Sequence, residues 1–171
     1  MKKMICTLLV LALMLPLAAC GQKKEEKFQK PVTFYYCRTS PSFGVPDGLI
    51  VGETRESAEY EGNLLGLLNR YISGPLTSDM IRPFPFAARI ISCAVSEGSI
   101  FLEVSDTFTV LQGVDLSLAL ACLTKTIYEI TGIGTIHMKA QTAKFDGIEV
   151  VTMRIEDIFL YDGSQSPAGA E

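Results

Sequence analysis

The chain has 171 residues, 48% of them hydrophobic, with a mean hydropathy of +0.28 and a formal net charge of −4. That length holds one ordinary domain. An acidic balance lacks the positive field that phosphate backbones require, so nucleic acid is not an expected partner.

The hydrophobic excess is concentrated at the start. Residues 1–19 hold 15 of the 82 hydrophobic residues, leaving 67 of 152 for the remainder, an ordinary globular share. Lys2 and Lys3 form a short basic start, the apolar run 4–15 follows, and Pro16 breaks it. A permanent spanning helix needs about 20 apolar residues, so residues 1–19 read as a signal peptide. Leu17-Ala18-Ala19-Cys20-Gly21 resembles a bacterial lipobox, in which the cysteine is acylated and becomes the first mature residue. Run length, small residues and cysteine position favour lipidation of Cys20 over a secretory signal with a chance cysteine. The mature chain is then expected to be extracytoplasmic and anchored by lipid to the bacterial cell membrane, with more than one acyl chain for a stable anchor.

Residues 20–30 follow as the lipidated cysteine and a charged tether whose four lysines suit anionic headgroups. From Pro31 onward, 9 Lys/Arg stand against 17 Asp/Glu. This folded part is expected to stand off the membrane as a single domain over residues 31–162, with a disordered polar tail at 163–171.

Residues 32–37 (VTFYYC) are rich in β-branched and aromatic side chains and predict a strand with Val32, Phe34 and Tyr36 on one face. The Pro-, Gly- and Ser-rich stretch 38–48 predicts a loop, and 49–51 a short strand before Glu53-Thr54-Arg55. Over 57–73, Leu64, Leu65, Leu68, Tyr71 and Ile72 make one apolar helical stripe, with Ser57 as cap and Gly74-Pro75 as stop. Residues 76–86 contain two prolines and predict an ordered loop with Met80 and Ile81 packed inward.

A hairpin is expected over 89–104. Ile91, Cys93 and Val95 alternate before the turn, Ile100, Leu102 and Val104 after it, and Gly98 supplies positive φ. Ser105-Asp106 stops the strand, and 107–114 reads as an irregular crossover. A second helix is predicted over 116–131, with Leu116, Ala119, Leu120, Leu123, Thr126, Ile127 and Ile130 on its seam. Asp115 or Ser117 is its expected cap and Gly132 its close. Strands follow at 134–140 and, after an Asp146-Gly147 turn, at 148–155. The order β-β-α-β-β-α-β-β argues for an α+β two-layer sandwich, a single mixed sheet with both helices packed on one face.

These landmarks resemble the GerMN family over about residues 32–145. The carrying segments are Leu49-Ile50-Val51-Gly52-Glu53-Thr54-Arg55, the leucine pair Leu67-Leu68 with its Gly74-Pro75 helix end, the hairpin 91–104 with its Ser105-x-x-Phe108 exit, and the helix segment 121–133. One copy is present, and the stretch after Ala140 follows the family pattern loosely. The resemblance implies a fold similar to ring-building-motif domains. It implies a binding or scaffolding module outside the membrane, in sporulation, spore envelope assembly or germination. On this reading Glu53, Arg55, Gly74, Pro75, Gly98 and Asp106 are structural motif residues.

Enzymatic constellations are sparse. His137, the one histidine, falls on the polar face of a predicted strand, and there is no nucleophile elbow or phosphate-binding loop. Gly132-Ile133-Gly134 is a helix-to-strand turn, the reverse of dinucleotide-binding order. Glu53, Arg55, Glu59 and Glu61 invite a carboxylate-pair reading, but a charged strand exit and an acidic first helical turn explain them more simply. Glu53 and Arg55 are instead expected to orient the loop before the first helix. Cys37, Cys93 and Cys122 remain in the mature chain, an odd number without metal-ligand spacing. They read as buried thiols, with a Cys37–Cys93 bridge as the alternative.

No catalytic residue, cofactor or metal is expected. The leading expectation is a non-catalytic module, monomeric by default, that binds envelope protein or peptidoglycan through a sheet edge or the loop 76–86. A carboxylate-dependent cell-wall glycan hydrolase and a small-ligand-binding lipoprotein are the alternatives.

Overall fold

The computed structural model describes residues 31–42, 48–56 and 63–158. The expectations for the signal peptide, Cys20 and its tether, Ser57, Glu59, Glu61 and the tail 163–171 lie outside the described residues. Among the described residues, seven strands and two α-helices follow in the order β1 (Pro31–Arg38), β2 (Ile50–Glu56), α1 (Leu64–Ile72), β3 (Met80–Ile81), β4 (Ile90–Ser96), β5 (Ser99–Val104), α2 (Gly113–Thr131), β6 (Thr135–Ala140) and β7 (Val150–Arg154). Short 3-10 turns at Asp106–Val110 and Ile155–Asp157 precede α2 and follow β7.

The α+β class and the helix pair are as the residues imply, but the strands form two sheets where one was expected. One sheet has the order β2-β1-β3, all antiparallel; the other has the order β4-β5-β6-β7. Only β5 and β6 run parallel, joined through α2 as a crossover. The two-residue β3 pairs with only Cys37 and Arg38 of β1, so β1 presents unpaired backbone further back. At Tyr35 that edge meets side chains, not a strand: its N–H donates to Thr126 Oγ1 of α2 at 2.9 Å, and the Tyr71 hydroxyl of α1 donates to its carbonyl at 2.7 Å. A satisfied edge needs no further strand, and the sheet stops there.

Both helices share one core with the four-stranded sheet. Ile100, Leu102, Val104, Ile136, Met138 and Val151 from the sheet pack with Leu68, Tyr71 and Ile72 of α1 and with Leu120, Leu123 and Ile127 of α2. Phe34 and Tyr36 of β1 enter the same core, as their alternation predicted. Tyr71 is its aromatic hub, with ring centroids 5.4 Å from Phe34, 5.1 Å from Tyr36 and 5.3 Å edge-on from Phe84. Such pairs each contribute about 0.5–1.5 kcal/mol beyond their burial. A second cluster lies on the opposite flank of α2, where Ala121 and Cys122 pack against Ile50, with Cys37 and Ile158 at its margin. This explains why α2 buries more residues than a single seam supplies.

Several boundaries differ from expectation for local reasons. Helix α1 begins at Leu64, and its cap is Asn63, whose side-chain oxygen accepts the Gly66 N–H at 3.0 Å. Helix α2 begins at Gly113, so Asp115 and Ser117 lie inside it and neither caps it. Gly132 closes it in the left-handed conformation, φ 74°, as predicted. In β4 the inward residue is Ile90, opposite Val104; a register irregularity between Ile90 and Ser92 turns Ile91 out to 40% exposure. Ile81 is likewise half exposed, while Phe84 in the same loop takes the core position.

Candidate functional site

Four of the residues singled out in the sequence, Glu53, Arg55, Gly74 and Pro75, meet at the exit of α1, whereas Gly98 and Asp106 lie elsewhere. Glu53 and Arg55 are two apart on β2, so their side chains leave the same face of the strand. They form a buried ion pair. The other Glu53 oxygen accepts the N–H groups of Leu76 (2.9 Å) and Thr77 (3.0 Å). Arg55 donates to the Gly74 carbonyl at 2.8 Å and to the Tyr36 hydroxyl at 3.2 Å, and its guanidinium lies 5.1 Å from the Phe34 ring centre. The Tyr36 hydroxyl in turn shares its proton between the carbonyls of Tyr71 (2.8 Å) and Gly74 (3.1 Å). Burial pushes that hydroxyl far above the ordinary phenol range, so it stays protonated and donating.

The pair therefore orients the loop after the first helix, Gly74 to Thr77; the expected loop before it, 57–62, lies outside the described residues. The reason is chemical: carbonyls at and just past a helix end lack intrahelical partners, and here the phenol serves Tyr71 and, with the guanidinium, Gly74. Gly74 makes the turn at φ 118°, and Pro75, which has no N–H to donate, cannot continue the helix.

Asp106 serves a different segment, the one after β6. Its carboxylate accepts the N–H groups of Thr142 (2.9 Å) and Ala143 (3.0 Å) and the Thr142 hydroxyl at 2.5 Å, which pins the segment after β6. The Thr142 hydroxyl, with the two backbone donors behind it, holds this carboxyl below its usual value. That segment then closes through Asp146 and Gly147, at φ 49° and 84°, and seats Phe145 in the core. Gly98 belongs to a separate turn, where Glu97 (φ 50°) and Gly98 (φ 72°) are both left-handed, as a tight two-residue hairpin turn requires.

His137 lies on the open face of the four-stranded sheet, stacked on Phe101 with centroids 4.6 Å apart and bonded to Thr152 Oγ1 at 2.9 Å. Among the described residues no three His, Cys, Asp or Glu side chains are placed to hold a metal ion, and no helix is long and apolar enough to cross a membrane. The three described cysteines are free thiols. Cys37 lies beside Cys122, their sulfurs 3.9 Å apart, while Cys93 belongs to the other sheet. The free thiols agree with the leading expectation, and the alternative Cys37–Cys93 bridge is not formed, because β1 and β4 lie in different sheets.

A groove of about 480 Å³ runs beside Cys37, walled by Cys37, Leu49, Ile81, Pro83, Phe84 and Leu118 among others. The loop 76–86 supplies one wall and carries exposed apolar side chains, Leu76 at 73% and Phe86 at 90%. Sequence reasoning marked this loop but not the groove, since Leu49, Phe84 and Leu118 meet only in the folded chain.

No family model and no curated protein matches the sequence. Solved structures do match. The first GerMN domain of the sporulation protein GerM from Bacillus subtilis is similar at a TM-score of 0.51 and 13% identity, over 69% of this chain and 91% of that domain. The tandem GerMN domains of the same protein match at a TM-score of 0.51 and 17% identity, over 73% of this chain and 45% of the pair. The chain thus spans about half of the tandem, one domain's worth. Its described residues have the fold of a GerMN domain.

Proposed function

We propose that this chain is a non-catalytic interaction module, held by lipid on Cys20 outside the bacterial cell membrane and acting in sporulation, spore envelope assembly or germination. The observation that carries this reading is the likeness to the first GerMN domain of GerM over 91% of that domain. The lipobox-like Leu17-Ala18-Ala19-Cys20-Gly21 supports the anchor. The use of Glu53 and Asp106 as loop pins supports a binding role over glycan hydrolysis, since a catalytic carboxylate must face its substrate. The proposed contact face is the loop 76–86, which presents Leu76 and Phe86 to solvent, and the proposed partner is an envelope protein or peptidoglycan.

Deletion of the gene in its native host, followed by complementation, tests this. Loss of heat-resistant or germinating spores is expected, restored by the wild-type chain. Cys20→Ala should leave the protein in the soluble fraction, and Phe86→Asp should leave it anchored and folded but unable to complement. Normal sporulation and germination after deletion would overturn the proposal. A second reading, a small-ligand lipoprotein, is favoured only by the groove of about 480 Å³, which falls in the size range of ligand sites.

A further inference from the structure

Two of the three described thiols are placed to react with each other. Cys37 stands on the central strand β1, between Ile50 of β2 and Ile81 of β3, half exposed on the wall of the groove. Cys122 is fully buried on α2 directly behind it, with the sulfurs 3.9 Å apart. A disulfide needs the sulfurs about 2.05 Å apart, so each must move by roughly 1 Å, a displacement on the scale of side-chain rotation. One thiol open to the groove and a second enclosed behind it is the arrangement of an attacking and a resolving cysteine. Cys93, half buried on β4 opposite Leu102, has no such neighbour among the described residues.

We propose that Cys37 and Cys122 form a redox-active pair that closes to a disulfide by exchange with a disulfide donor entering through the groove. The Cys37 thiolate attacks one donor sulfur, forming a mixed disulfide and releasing the other donor sulfur as a thiolate. Cys122 then attacks Cys37 Sγ, passing its proton to the departing donor thiolate. The chain loses two protons and two electrons, one proton from each thiol, and these reduce the donor disulfide to two thiols. The thiol balance favours this order: the Cys122 hydrogen bond holds the Cys37 thiol below its ordinary value, whereas burial pushes Cys122 up. The closed pair ties β1 to α2 across the cluster of Ile50 and Ala121, joining positions 85 residues apart.

The test needs neither a partner nor a membrane, so its failure is distinct from failure of the function proposed above. The full chain, purified in mild detergent, is treated with oxidised glutathione, alkylated and mapped by peptide mass. A Cys37–Cys122 linked peptide, with Cys93 still alkylated, is expected, together with a melting temperature raised by about 5–15 °C and reversed by reductant. Cys37→Ser should abolish both the link and the rise. The wild-type map carries the test even if a variant at buried Cys122 fails to fold. Full alkylation of Cys37 and Cys122 after treatment, or a link from either to Cys93 or to a second chain, would overturn the pair.

Discussion

The backbone N–H of Tyr35 donates to the side chain of Thr126, a residue 91 positions later, at 2.9 Å. This bond ends a sheet. With the Tyr71 hydroxyl on the Tyr35 carbonyl, it substitutes side chains for the strand that would otherwise pair with β1, and it docks α2 against that edge. Thr126→Val keeps the β-branched shape and removes this acceptor from the part-buried Tyr35 N–H. A loss of about 1–3 kcal/mol is expected in urea denaturation, with Thr126→Ser losing less.

Glu53→Gln should destabilise the domain by about 3–5 kcal/mol, because it leaves the buried Arg55 guanidinium without its counter-charge. Replacing both residues, as Glu53→Gln with Arg55→Met, should be milder than the sum of the single changes, since the unpaired charge is then gone as well. Unchanged melting on alanine substitution of either residue would show that the pair does not hold the Gly74 to Thr77 loop.

The Asp106 carboxyl titrates lower folded than unfolded, because Thr142 and Ala143 donate to its ionised form. Its contribution to stability is therefore complete above the ordinary value of 3.8 and fades as the pH falls through the lowered folded value. Asp106→Ala should melt lower than wild type at neutral pH, and the gap should narrow below pH 3.8. A gap independent of pH down to full protonation would remove Asp106 from this role.

Thr124 is buried on α2, and its hydroxyl is the one buried side-chain oxygen or nitrogen without a partner among the described residues. Thr124→Val fills the same space without that desolvated oxygen. Thermal melts should show the domain unchanged or stabilised, by up to about 1 kcal/mol.

Gly134 marks a close approach that a larger residue cannot share. A Cβ there would lie 2.6 Å from Ile155 Cγ2, where the Ile155 N–H also donates to the Gly134 carbonyl at 2.7 Å. Gly134→Ala should cost about 1–3 kcal/mol, and pairing it with Ile155→Ala should recover part of the loss in a double-mutant comparison.

The sequence by itself determined the elements that rest on local pattern. Alternation in 32–37, the apolar stripe ending at Gly74-Pro75, the Glu97-Gly98 turn and the seam of 116–131 each identify their element, because period and left-handed backbone are properties of a few adjacent residues. It also singled out Glu53, Arg55, Gly74, Pro75 and Asp106, while the loop contacts of Glu53, Arg55 and Asp106 appear only in the fold. Tertiary structure alone decided that the strands part into two sheets, that Ile90 and not Ile91 faces inward, that Cys37 meets Cys122, and that a groove opens beside Cys37. Each of these depends on contacts between residues far apart in the chain. A lone strand does not say whether a second strand or a threonine side chain will satisfy its edge; only the packing of α2 against Tyr35 settles that.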